Sequence, residues 1–288
     1  MLSRREIAKG AMIAAALAPP LVASQALIAT PASAQNQPTE STMDRVSRTK
    51  VLRIAALPGE SPYFNKDITT GVWTGMAVEM AKDIAANLDA TLEYTESTYG
   101  NSVLDLQSGK IDLAFALNPT PKRALVIGFT HPVFLHGFGM VGSKGFTAKT
   151  WSDLNKPEVR VAVDIGSAHE IAARRFAPKA TITGYKMRDD CILALQSGKV
   201  DCVILAAILG LTAVKKNPNL GAYVILSNPL VQLPSGMGVR QEPDKRWRDF
   251  LDNWVDYNRG IGQIREWMIG GLALNGVMPE DVPAEVQF

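Results

Sequence analysis

Hydrophobic positions in this chain gather into short runs separated by amphipathic stretches, and the pattern repeats. Residues 111–116 and 200–205 are apolar runs of the kind a parallel sheet buries on both faces. Each begins inside a near-identical heptamer. The first is Leu106-Gln107-Ser108-Gly109-Lys110-Ile111-Asp112, and the second is Leu195-Gln196-Ser197-Gly198-Lys199-Val200-Asp201. Each copy predicts a helix end, a glycine in the left-handed conformation that closes a helix, and the start of a buried strand. An echo at this distance implies one supersecondary unit used twice, and so two similar lobes.

The remaining pattern fits that plan. Residues 51–56 predict a strand. Met76, Ala77, Met80, Ala81, Ile84, Ala85 and Leu88 form one apolar helix stripe. A strand at 91–94 and a helix at 99–108 lead into the first heptamer strand. Pro119 and Pro121 are expected to keep the next turn extended, and 126–129 and 132–141 read as extended crossover chain. In the second lobe, strands at 159–164, 182–185 and 223–226 alternate with helices at 167–176, 190–196 and 207–216. Residues 236–240 read as the return crossover, and amphipathic helices at 245–257 and 261–267 close the chain. Strands alternating with helices predict an α/β fold. Residues 35–47 lack periodicity and are expected to be a loose linker.

Composition narrows the function classes. The chain has 288 residues, 47% hydrophobic and 20% charged, which allows two lobes of about 100 residues each. Residues 1–34 carry Arg4, Arg5 and Lys9 against Glu6, which accounts for the whole formal charge of +2. The rest is neutral and has no basic cluster with interleaved aromatics, so nucleic acid is not an expected partner. Only His131, His136 and His169 are present, without metal-ligand spacing, so no metal and no cofactor are expected. Cys191 and Cys202 read as two buried apolar thiols, although a bridge between helix and strand is open to them.

The first 34 residues read as an export signal. Ser3-Arg4-Arg5-Glu6-Ile7-Ala8-Lys9 resembles a twin-arginine motif, and Ala32-Ser33-Ala34 offers small-x-small cleavage near Ala34. Pro19 and Pro20 interrupt the apolar stretch between them, which argues against a spanning helix. No cysteine lies near the cleavage site, so no lipid anchor is expected, and the periplasm is the expected compartment.

The chain resembles the bacterial extracellular solute-binding proteins of family 3, the amino-acid type that serves ABC importers. The resemblance is carried by residues 72–81, Val-Trp-Thr-Gly-Met-Ala-Val-Glu-Met-Ala, by both heptamers, and by Thr120-Pro121-Lys122-Arg123-Ala124 followed by Ile127-Gly128-Phe129-Thr130-His131-Pro132. It covers the chain from Leu52 onward. It implies a two-lobe periplasmic-binding-protein fold (type II) with two crossover strands, lobe 1 holding 48–137 and 240–288 and lobe 2 holding 138–239. It also implies a small carboxylate or amino acid as ligand, an inner-membrane permease as partner, and a monomer.

The resemblance carries ligand roles to particular positions. Arg123 matches the arginine that grips the ligand carboxylate, which suits a planar fork of donors. Asn118 and Thr120 flank the same group, and Asn118 reads equally as a turn residue bonding its own backbone. Tyr99 packs on the ligand or in the core. Tyr63 and Glu60 belong to the first loop, where a structural aromatic and a solvated carboxylate are the simpler readings. Ser167 and Ala168 match the second-lobe turn at a helix N-terminus, and Glu170 reads as the partner of Ser167 in a capping box. Amino-acid binders carry an Asp for the ligand ammonium where this chain has Ala206. That departure points to a deaminated carboxylate, unless Glu60 substitutes. Two other classes stay open: a cyclohexadienyl-dehydratase-like enzyme with Glu170 or His169 as acid, and a partner-docking protein without a small ligand.

Overall fold

The computed structural model describes residues 40–288, so the expected export segment and its cleavage site lie outside the described residues. The fold is α/β with two lobes. In the first, Val51–Ala56 pairs in parallel with Thr91–Glu96, and a bridge from Ile54 to Leu113 ties this pair to the strand Ala114–Leu117. In the second, Arg160–Asp164 is flanked by Thr181–Tyr185 and Cys202–Ala206, both parallel to it.

Two long strands join the lobes. Phe134–Gly142 pairs with Gln232–Arg240 through residues 134–137, then with the second-lobe strand Cys202–Ala206 from Phe138 onward. Gln232–Arg240 pairs with the first-lobe strands Ala114–Leu117 and Ile127–Phe129 from Gly236 onward. The chain thus crosses between lobes twice on adjacent antiparallel strands.

Both heptamers fold alike. Gly109 and Gly198 have φ of 69° and 71°, closing the helices Tyr99–Gln107 and Arg188–Gln196 in the left-handed region. The repeated aspartates also do the same work. The amide N–H of Arg53 donates to Asp112 Oδ2 at 2.8 Å, and its guanidinium reaches Asp112 Oδ1 at 2.8 Å. In the second lobe the Arg160 amide donates to Asp201 Oδ2 at 2.8 Å, and its guanidinium reaches Oδ1 at 2.6 Å. Each aspartate pins the first strand of its lobe to the third. Arg45 adds a further cation at Asp112 alone.

The helix Met76–Asn87 buries the predicted stripe from Met76 to Ala85, with Leu88 partly buried just beyond its end. Its start also positions a loop. The amides of Met76 and Ala77 donate to the carbonyls of Pro62 and Tyr63, both at 3.1 Å. Gly75 sits there at φ 123°, and a Cβ on it would lie 2.4 Å from the Tyr63 carbonyl oxygen. Only glycine permits this approach.

Two local expectations are corrected. Within the segment expected to be a loose linker, Thr42–Thr49 is a helix. Ser41 caps it by accepting from the Asp44 amide, and Val46 is buried beneath it. A two-turn helix shows too few apolar positions for a period to be read. The turn after Asn118 is not extended either. Pro121–Ala124 is one helical turn, with Thr120 as cap and Pro121 at the first position, where its missing N–H costs nothing.

The two aspartates should differ in consequence. The Asp112 side chain is 2% exposed and serves two arginines, whereas that of Asp201 is 22% exposed and serves one. Asp112→Ala is expected to cost about 3 kcal/mol of unfolding free energy, and Asp201→Ala about 1 kcal/mol. Urea unfolding of both variants checks the order; equal losses would contradict it.

Candidate functional site

Three turns meet between the lobes, each at the carboxyl end of a strand. This is where ligands bind in open α/β sheets. The first is the loop after Val51–Ala56, the second follows Ala114–Leu117, and the third follows Arg160–Asp164. They enclose a cavity of about 10 Å³ lined by Tyr63, Tyr99, Asn118, Arg123, Ser167 and Ala168, together with Ala116, His136, His169 and Leu209. Six of the residues singled out from sequence therefore come together. Glu60 lies beside the cavity, held by the Tyr99 hydroxyl. Thr120 does not line it, because its hydroxyl accepts from the Arg123 amide and caps the turn that carries Arg123.

Arg123 is buried, with one nitrogen donating to the Asn118 carbonyl at 3.1 Å and another to the Gly166 carbonyl, in the opposite lobe, at 2.8 Å. Among the described residues no carboxylate lies within ion-pair distance of it. Burial pushes its pKa below the ordinary arginine value. The lobes also touch at Gly166, whose added Cβ would meet Gly100 Cα at 3.2 Å.

The residues at the second-lobe turn are already engaged. Ser167 accepts from the Glu170 amide at 3.2 Å and donates to the Asp164 carbonyl at 2.8 Å. Glu170 accepts from the Gly166 amide and pairs with Arg174, so both of its oxygens are engaged at the helix start. His169 Nε2 accepts from the Ala206 amide at 3.1 Å, which places its proton on Nδ1, 3.2 Å from Asp164 Oδ1. Both acid candidates of the enzyme reading are thus occupied. The Ala206 position, where a carboxylate was looked for, presents a backbone amide to an imidazole.

Sequence reasoning missed the charge cluster beside the cavity. Arg188, 4% exposed, reaches Asp164 Oδ2 at 2.6 Å in its own lobe and Glu60 Oε1 at 3.3 Å across the cleft. Glu60 is not solvated but buried, because the loop that carries it folds under Tyr99 and Arg188. Burial raises its pKa to about 7, with Arg188 acting in the opposite sense. Burial likewise disfavours ionised Asp164, but Arg188 and His169 outweigh it and hold that carboxyl well below the usual range. Nothing in the spacing of Glu60, Asp164 and Arg188 announces the cluster. The one local signal is Asp164 ending the apolar run Val161-Ala162-Val163.

Volume alone would have pointed elsewhere. A more open groove of about 670 Å³ joins the first loop to the helices Arg188–Gln196 and Ala207–Lys216 and meets the small cavity at Leu209. Two of its cations are paired, Arg188 as above and Lys66 with Glu96, and Lys216 lines it without an ion pair among the described residues. Among the described residues no group of three His, Cys, Asp or Glu side chains is placed to hold a metal ion.

Comparison with known proteins agrees with this fold. Residues 52–244 match the model of the bacterial extracellular solute-binding proteins, family 3. The cyclohexadienyl dehydratase of Pseudomonas aeruginosa is 25% identical over 252 residues, covering 86% of this chain and 92% of its own. The ABC transporter arginine-binding protein 1 of Escherichia coli is 24% identical over 195 residues, covering 66% of this chain and 75% of its own. The crystal structure of an ancestral amino acid-binding protein, a precursor of cyclohexadienyl dehydratase, superposes with a TM-score of 0.72 at 26% identity. It covers 79% of this chain and 100% of that one.

The raised pKa of Glu60 has a thermodynamic signature. The folded chain holds this proton more tightly than the unfolded chain, where the value is 4.5. The associated stability is whole below about pH 4.5 and is lost as pH rises toward about 7. His136 and His169, whose pKa values are lowered by burial, act with the opposite sign, but they are common to wild type and Glu60→Gln and cancel in the difference. Relative to wild type, Glu60→Gln should therefore gain up to about 3 kcal/mol across this range. Urea unfolding at a series of pH values reads this directly, and a difference independent of pH would refute it.

Proposed function

The chain belongs to the bacterial extracellular solute-binding proteins, family 3, and from that premise we propose that it captures a small carboxylate solute between its lobes for an ABC importer. Arg123 carries the reading. A buried guanidinium without a carboxylate is costly, and a ligand carboxylate supplies the missing charge with two parallel hydrogen bonds. Asn118 and the Ser167–Ala168 turn bracket the same position from the two lobes. The bonds from Arg123 to Gly166 and from Arg188 to Glu60 link lobe to lobe. They support a clamp that closes on the two crossover strands.

An α-ammonium finds little support in this cleft. No Asp or Glu lines the Arg123 cavity. The two nearest carboxylates, Glu60 and Asp164, are both committed to Arg188. An unpaired buried ammonium costs several kcal/mol. The proposed ligand is therefore a deaminated carboxylate, in contrast to the arginine that gives the E. coli relative its name. In this reading the protein works as a periplasmic monomer, exported through its twin-arginine segment, and delivers to an inner-membrane permease.

A second reading is favoured by the length of the match to cyclohexadienyl dehydratase. It requires an acid at the cleft, and Glu60, although bonded to Tyr99 and Arg188, is the group whose pKa of about 7 suits proton transfer. Turnover of a cyclohexadienyl substrate to an aromatic product, followed by ultraviolet absorbance, would select it over capture.

Binding by calorimetry tests the main proposal. Arg123→Ala should weaken a bound carboxylate by about 1.5–3 kcal/mol, roughly ten- to hundredfold. Unchanged affinity in the variant would sink it.

A further inference from the structure

The cavity beside Arg123 holds two polar groups that the carboxylate grip does not use. His136, on the crossover strand Phe134–Gly142, is buried, and its Nδ1 has no hydrogen-bond partner. The Tyr63 hydroxyl is likewise buried without a partner. Both residues line the same small cavity as Arg123. A buried polar group left unpaired is costly, so two of them in one cavity call for an explanation.

The neighbours of His136 determine which of its nitrogens carries the proton. Asn118 Nδ2 donates to the Pro234 carbonyl at 2.8 Å, which identifies that atom as the amide nitrogen. Its other hydrogen points to His136 Nε2 at 3.4 Å, so Nε2 is the accepting nitrogen. The proton of the neutral ring then sits on Nδ1. Burial, reinforced by His169, pushes the His136 pKa down to about 3, so the ring is neutral at ordinary pH. Nδ1–H is therefore a free donor. Phe134 and Phe138 hold the ring with edge contacts at centroid distances of 4.9 and 5.7 Å. Tyr63 is held by its stack on Phe134 and by the helix-start amide that takes its carbonyl.

We propose that His136 Nδ1–H and the Tyr63 hydroxyl form a second polar subsite that recognises an oxygen acceptor next to the ligand carboxylate, so that the protein selects 2-oxo acids. This rests on the carboxylate reading of Arg123 and narrows it. The cavity offers donors from Arg123, His136 and Tyr63, while Ser167 and His169 have their polar atoms committed within the protein. A 2-oxo acid presents only acceptors and matches that set. An α-ammonium presents three donors and would face His136 Nδ1–H. A plain carboxylate leaves His136 and Tyr63 unpaired. Tyr63, His136, Asn118 and Arg123 all stand on the first lobe or on the crossover strand that leaves it, so this recognition precedes closure of the second lobe.

The test uses 2-oxobutanoate, butanoate and 2-aminobutanoate with the mature chain, by calorimetry at one salt concentration. Wild type should bind 2-oxobutanoate at least tenfold more tightly than either of the others. His136→Phe keeps a ring among the aromatics and removes the donor; Tyr63→Phe removes only the hydroxyl. Each should lower affinity for 2-oxobutanoate by fivefold or more and change butanoate by less than twofold. If His136→Phe does not fold, Tyr63→Phe gives the same reading alone. A preference for 2-oxobutanoate that survives in the folded variants overturns the subsite, as does tighter binding of 2-aminobutanoate, while loss of binding in Arg123→Ala keeps the carboxylate grip standing. Failure of wild type to bind any of the three overturns the carboxylate reading itself.

Discussion

A guanidinium buried between two lobes without a carboxylate is the constraint around which this cleft is built. Removing an arginine from water is expensive, and the chain recovers only part of that cost through two backbone carbonyls, one from each lobe. The local structure serves to hold Arg123 in place. Thr120 caps a single helical turn, Pro121 sets its first dihedral, and the Asn118 carbonyl takes one guanidinium nitrogen. The uncompensated charge is what the proposed anion site rests on.

The second buried guanidinium shows the opposite solution. Arg188 has two carboxylates, one from its own lobe and one from the other. Two arginines of similar burial thus divide the work. Arg123 meets only backbone carbonyls, whereas Arg188 pairs with carboxylates of both lobes. The same division explains the missing acid at Ala206. With Glu60 and Asp164 engaged by Arg188, and the Ala206 amide facing His169, the cleft has lost the groups that would stabilise an ammonium. Family membership settles the architecture and the class of work, and the proposed choice of ligand turns on these positions.

Much of this architecture was legible in the sequence because it is written in local terms. The heptamers encode a helix end, a left-handed glycine and a strand start within seven residues, and both copies fold as read, whereas the matching Arg53–Asp112 and Arg160–Asp201 pairs emerged only in the structure. Arg123, Asn118, Tyr99 and Ser167 were located through the resemblance to the family, and each stands near a strand end, where the fold gathers its loops. The short helices at Thr42–Thr49 and Pro121–Ala124 were not legible, since one or two turns carry no period and depend on a cap.

Only the tertiary structure decided the chemistry around those positions. Glu60 and Arg188 are 128 residues apart, and Asn118 meets a carbonyl 116 residues away. No spacing rule predicts such pairs, because they form across a cleft whose two walls come from different parts of the chain. Burial is what turns Glu60 from a solvated carboxylate into one titrating near 7, and what leaves His136 neutral with a free donor. The chain's local pattern therefore determined which elements form and where they end. The folded cleft determined which side chains lose water together, and that shared loss of solvent sets their charges and their partners.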